Sequence, residues 1–256
     1  MNRIDELFNK KAGNILSVYF TAGYPALDST VEIIRELASE GTDMNEIGVP
    51  FSDPVADGPV IQKSNDTALK KGMSLRLLFD QLKDIRKETD IPLLLMSYIN
   101  PVLRFGIEKF CKKCEETGID GVILPDLTPE IYKASYLGLF KEHNIYNVLL
   151  ISKGTSAARI REIDGLSRIF IYMVSSSSTT GIKRNFSADQ KEYFLKVKKM
   201  NLRNPALIGF GISDNETYLQ ACKYGAGAII GSAFIKALSE GEGGKNTVRD
   251  FIKKIR

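Results

Sequence analysis

The stretch EIGVPFSDPVADGP, Glu46 to Pro59, opens as the end of a strand, MNEIGV, whose side chains alternate between two faces. It then breaks at Pro50 into a loop that Pro50, Pro54, Pro59 and Gly58 hold in turn-like conformations. Glu46, Ser52, Asp53 and Asp57 bring carboxylates and a hydroxyl into this short reach. A carboxylate on a strand end is rigidly placed, whereas one on the following loop can approach and withdraw. Such a pair suits proton transfer to two atoms of one substrate. An Asp-Pro-rich loop is also an ordinary turn, so the rest of the chain has to decide between the two.

Outward from this stretch, short apolar runs alternate with amphipathic segments. The runs begin at Ile15 (ILSVYFT), Met44 (MNEIGV), Ile91 (IPLLLMSY), Asp120 (DGVILPD), Tyr146 (YNVLLIS), Ile169 (IFIYMVS), Pro205 (PALIGFG) and Gly227 (GAIIGS). Between them lie helical patterns such as STVEIIRELASEG, LRLLFDQLKDIRKET, IEKFCKKCEETG and NETYLQACKYG, several closed by glycine. The strands are apolar on both faces, as in a parallel sheet covered by helices. The 256 residues match the length of about 250 typical of one (β/α)8 TIM barrel. The expectation is therefore a single α/β barrel domain over 1–256, with MNRIDELFNKK forming an extra N-terminal capping helix.

Composition narrows the function. A net charge of +4, from 35 basic and 31 acidic residues interspersed along the chain, does not point to nucleic acid or a membrane surface. No apolar run approaches a membrane span, and no targeting segment is read at the N-terminus. Cys111, Cys114 and Cys222 suit a reducing compartment, and the chain is expected to be cytoplasmic. Cys111 and Cys114 sit in a helical pattern without a second ligand pair, and the single histidine is His143, so no metal site is expected.

In a TIM barrel the C-terminal strand ends carry the chemistry. Those ends hold Tyr19, Glu46, Tyr98, Asp126, Tyr172, Gly209–Gly211 and Gly231–Ser232. The glycines at the last two strands suit a phosphate, since backbone N–H groups and a helix start can approach an anion there. Tyr19, Tyr98, Tyr172 and Phe210 suit a flat apolar group beside it. SSSSTTGIKRNFSADQ, after the sixth strand, reads as a mobile lid.

Taken together, YFTAGYP, EIGVPFSDPVADGP, YINPV, DGVILPDL, SSSSTTG, IGFGIS and AIIGSAFIKAL resemble the tryptophan synthase alpha subunit family, over essentially the whole chain. The resemblance implies retro-aldol cleavage of indole-3-glycerol phosphate to indole and glyceraldehyde 3-phosphate. It matches Glu46 and Asp57 to the catalytic carboxylates. It also matches Tyr19, Ile61, Tyr98 and Phe210 to the indole pocket, and Tyr172 to a position near the glycerol. Thr180 matches a lid threonine, and Gly181, Gly211, Gly231 and Ser232 match the phosphate site. It implies no metal and no cofactor in this chain. The expected partner is a beta subunit carrying pyridoxal phosphate in an α2β2 complex, with the Asp53 loop and the lid facing it. Val60, Asn45, Ser97, Thr128, Lys153 and the SSSSTTG lid depart from the family's usual residues. Asn45 is expected outward beneath a helix, where an unpaired amide would cost about 1–3 kcal/mol. A Schiff-base aldolase on the same fold would need an inward lysine, for which Lys153 is the only candidate. A non-catalytic activator of a beta subunit is the third alternative.

Overall fold

The computed structural model describes residues 1–175, 186–241 and 245–256. Eight parallel strands close a barrel in chain order, with β8 pairing back to β1. They are β1 (Ile15–Thr21), β2 (Met44–Gly48), β3 (Leu93–Met96), β4 (Gly121–Ile123), β5 (Tyr146–Ile151), β6 (Ile171–Val174), β7 (Ala206–Gly209) and β8 (Gly227–Ile230). All eight expected strands form. β3, β4, β6 and β7 start one or two residues later than their apolar runs.

Helices α1 (Arg3–Lys10), α2 (Ser29–Ser39), α3 (Pro59–Lys70), α4 (Leu75–Leu82), α5 (Ile99–Phe105) and α6 (Ile107–Thr117) belong to the first half. After β4, α7 (Pro129–Ile131) runs through a π-helical segment, Tyr132–Tyr136, into α8 (Leu137–Glu142). Then follow α9 (Ala157–Leu166), α10 (Ala188–Lys199), α11 (Asn215–Tyr224), α12 (Ser232–Glu240) and α13 (Lys245–Ile255). Cys111 and Cys114 are buried apolar positions of α6, and Gly118 ends that helix in the left-handed conformation at φ +72°.

Two apolar layers hold the barrel. Ile15, Met44, Leu94, Ile123, Val148, Leu207 and Ile229 fill its interior, and a larger layer packs the outer strand faces against the helices. Helix α1 closes the N-terminal end, as expected. Ile4 reaches the interior cluster, and Asn2 caps α1 while its Nδ2 donates to the carbonyls of Asp120 and Asn144 at 2.8 and 2.9 Å. The Tyr146 hydroxyl donates to Asp5 Oδ2 at 2.8 Å. With one end plugged, a substrate has access at the other.

Asn45 points outward as expected, but its amide is partnered. Oδ1 accepts from Thr42 Oγ1 at 3.1 Å and Nδ2 donates to the Ile34 carbonyl of α2 at 3.4 Å. The expected penalty of an unpaired group does not arise. Among the described residues no helix is long and apolar enough to cross a membrane.

Candidate active site

Register places Glu46 beside Tyr19 of β1 and Leu94 of β3, on the inward face. All of β2 is buried, and Glu46 has no solvent exposure. Its Oε1 accepts from Ser17 Oγ at 2.9 Å, while Oε2 has no hydrogen-bond partner among the described residues. Burial disfavours the ionised form and pushes the carboxyl up to about 8, the Ser17 hydroxyl opposing part of that rise. A carboxyl of that kind is protonated at neutral pH and ready to give the proton away.

Asp57 lies just before α3, whose start at Pro59 suits the fixed φ of proline. Its Oδ2 accepts from Asn65 Nδ2 at 3.2 Å. Asn65 in turn lies within 3.5 Å of Thr21 Oγ1, which shares a 2.7 Å hydrogen bond with Ser64. The loop carboxylate is thereby tied to the end of β1. Burial raises the Asp57 pKa above its ordinary value, against the Asn65 amide and the Tyr98 hydroxyl. Both carboxylates act electrostatically on the same two phenols, Tyr19 and Tyr172, whose pKa values burial drives upward. Glu46 and Asp57 therefore converge on one mouth of the barrel.

A cleft lies there, lined by Tyr19, Val49, Asp57, Met96, Ser97, Tyr98 and Pro125. Tyr172 is buried and meets Phe210 edge-on, with ring centroids 6.3 Å apart. Ile61 is buried in the first turn of α3 and is not among the residues lining this cleft. Close approach explains two of the glycines. A Cβ on Gly48 would collide with the Tyr19 hydroxyl, and one on Gly209 with that of Tyr172. Gly209 thus makes room for an aromatic ring, a different task from the anion binding read for the Gly-Phe-Gly run. Phe210 itself adopts φ +71°, a strained value for a residue with a side chain, between Gly209 and Gly211 at φ +75°.

The helix starts after β7 and β8 differ. Asp214 and Thr217 close the start of α11 with a reciprocal capping box. Gly231 precedes Ser232 at the start of α12 with no side chain capping the helix, which leaves first-turn N–H groups for an outside acceptor. Gly211 and Gly231–Ser232 are placed at this mouth by the ends of β7 and β8. Thr180 and Gly181 lie outside the described residues.

Sequence reading missed the groups that hold the carboxylates. Ser17 was visible as a hydroxyl inside the apolar run ILSVYFT, on the face of Tyr19, and Asn65 as part of QKSN at the start of a helix. Tyr98 was read as pocket wall. Its hydroxyl also accepts the backbone N–H groups of Val55 and Ala56 at 3.1 and 3.0 Å, and its ring lies 5.3 Å from Phe51, so it secures the loop carrying Asp57. The aldolase alternative loses its lysine: Lys153 Nζ pairs with Asp189 at 2.6 Å on the surface, and none of the eight strands contains a lysine. Among the described residues no group of three or more His, Cys, Asp or Glu could hold a metal ion.

Comparison with known proteins agrees with this fold. Residues 6–256 match the profile of a family described as tryptophan synthase alpha chain. The tryptophan synthase alpha chain of Flavobacterium psychrophilum is 52% identical over 255 residues, covering 100% of both chains. That of Christiangramia forsetii is 51% identical, over 100% of this chain and 99% of its own. Among solved structures, tryptophan synthase subunit alpha from Legionella pneumophila superposes with a TM-score of 0.88 at 31% identity, covering 100% of this chain and 97% of that one. A tryptophan synthase chain from M. tuberculosis, in an aminoacrylate-bound form, gives 0.86 at 27% identity, with 100% of both chains covered.

Proposed function

The chain belongs to the tryptophan synthase alpha chain family, and on that premise we propose that Glu46 and Asp57 are the acid–base pair of its lyase reaction. The reaction is the retro-aldol cleavage of indole-3-glycerol phosphate to indole and glyceraldehyde 3-phosphate, a step of tryptophan biosynthesis. Protonated Glu46 gives its proton to indole C3 while Asp57 takes the proton of the indole N–H, forming an indolenine. The C3 side-chain bond then breaks and its electron pair returns to the ring. Asp57 hands its proton back to the ring nitrogen, and Glu46 accepts the proton of the glycerol hydroxyl as that carbon becomes an aldehyde. Both acids end as they began. Cleavage directly from aromatic indole would leave a poor carbanion, which is why C3 has to be protonated first.

The observation that carries this reading is the fully buried Glu46, which has no ion-pair partner among the described residues and whose carboxyl burial pushes up to about 8. Tyr19 and Tyr98 flank the indole ring, with Ile61 and Phe210 completing its pocket and Tyr172 beside the glycerol. Gly211, Gly231 and Ser232 hold the phosphate at the uncapped start of α12. Residues 1–256 act as one barrel domain.

Alpha chains of this family partner a beta subunit. For this chain we infer an α2β2 complex in the cytoplasm, with indole passing to a beta subunit that carries pyridoxal phosphate, while the alpha chain needs no cofactor. Apolar exposure supports the docking face: Val55, Leu103 and Ile131 follow β2, β3 and β4 in turn and are 85%, 47% and 50% exposed. Indole release from indole-3-glycerol phosphate tests the site. Glu46→Gln is expected to lower kcat by about 10³-fold and Asp57→Asn by about 10²-fold, both with intact circular dichroism. Wild-type turnover in Glu46→Gln would remove that residue from the mechanism.

A further inference from the structure

Ser17 is fully buried in β1, with Met44 and Ile229 opposite it on the neighbouring strands. Both neighbours are apolar, so the register gives a hydroxyl no reason to stand there. Its one hydrogen bond among the described residues is the 2.9 Å donation to Glu46 Oε1. The other carboxyl oxygen, Oε2, is buried and unpartnered among the described residues. A protonated carboxyl has one acceptor-only oxygen and one that carries the proton. A hydroxyl donating to Oε1 makes Oε1 the acceptor and leaves the proton on Oε2.

We propose that Ser17 is a positioning residue of the lyase reaction: by holding Glu46 Oε1 it fixes the plane of the carboxyl and assigns both proton transfers to Oε2. The inference rests on the role given to Glu46 above. In the forward step the Oε2–H bond breaks as the C3–H bond forms. In the return step the proton of the glycerol hydroxyl comes back to Oε2, and Ser17 keeps its own proton throughout. A mobile carboxyl would present either oxygen and spend part of its time turned from the ring. The same hydrogen bond supports the ionised form that exists between the two steps, offsetting part of what burial imposes on it.

The test is steady-state indole release by Ser17→Ala and Ser17→Thr from about pH 6 to about pH 10, beside infrared titration of the Glu46 carboxyl, whose band is assigned by its absence in Glu46→Gln. Ser17→Ala is expected to lower kcat about tenfold with little change in KM. The alkaline limb of kcat and the infrared midpoint should both move to higher pH, by about one unit, and Ser17→Thr should restore both. If the alanine chain does not fold, Ser17→Cys, with its weak donor, must move both midpoints the same way. Wild-type kcat and midpoints in Ser17→Ala, with Glu46→Gln inactive, would overturn the role of Ser17 and leave that of Glu46 standing. An active Glu46→Gln would instead overturn the reading beneath it.

Discussion

At the N-terminal end of the barrel, Asp43 and Asp120 are surrounded by donors. Asp120 Oδ2 accepts from the Leu93 amide at 2.9 Å and from Arg86 Nη2 at 2.6 Å, and Oδ1 from Arg3 Nη1 at 3.2 Å. Asp43, one residue before β2, accepts from Lys11 Nζ at 2.7 Å and the Leu16 amide at 2.8 Å, and pairs with Arg256. In β2, toward the other end, Glu46 has one hydroxyl donor and, among the described residues, no counter-charge. Within three residues the chain passes from a satisfied carboxylate to an unsatisfied one. Full pairing fixes charge and joins termini to barrel; incomplete pairing leaves a proton that can move. Under the proposed function, the two ends divide stability from chemistry.

Substitutions at the two ends should fail in opposite ways. The largest effect belongs to Glu46→Gln: about 10³-fold in kcat, equivalent to about 4 kcal/mol, with no loss of thermal stability. Asp120→Asn should do the reverse. It leaves the half-buried Arg86 without its carboxylate partner and is expected to cost on the order of 3 kcal/mol in urea unfolding, with kcat of the folded enzyme unchanged. A catalytic defect in Asp120→Asn at full stability would break the division.

A smaller effect sharpens it through pH. The folded pKa of Glu46, about 8, lies above its ordinary 4.5, so the folded state binds the extra proton between these values. Stability from this group is complete below about 4.5, declines as pH rises and is gone above about 8. Glu46→Gln should erase that decline, gaining on the order of 2 kcal/mol relative to wild type between about pH 5 and about pH 6.5. Denaturant unfolding of both chains across that range measures it. Smallest is Tyr98→Phe, which frees the Val55 and Ala56 amides while keeping the ring; we expect kcat/KM to fall about fivefold, equivalent to about 1 kcal/mol, at nearly unchanged melting temperature.

The barrel was legible because burial on both faces writes each strand as an apolar run, and each helix as a stripe. Late strand starts follow from what the first residues do. Pro92 brings no N–H to the ladder, and Asp120 spends its side chain on Arg3 and Arg86. The LRLLFDQLKDIRKET pattern splits into α4 and a 3₁₀ turn, Ile85–Lys87, which buries Ile85 and lets Arg86 reach Asp120. Glu46 and Asp57 stood out because two acids flank a proline-rich strand end. Their supports did not. Ser17 meets Glu46 only through the β1–β2 register, and Tyr98 meets the loop amides across strand units, neither of which local spacing encodes. The amide partners of Asn45 were hidden for the same reason, since Ile34 belongs to the preceding helix.

In the proposed reaction Glu46 works as an acid because burial keeps its proton on at neutral pH. The pH dependence of kcat for indole release at saturating substrate tests it most directly. An alkaline limb with a midpoint near about 8, missing from the residual activity of Glu46→Gln, is the predicted result. A profile flat through that region, or a limb that persists in Glu46→Gln, would contradict it.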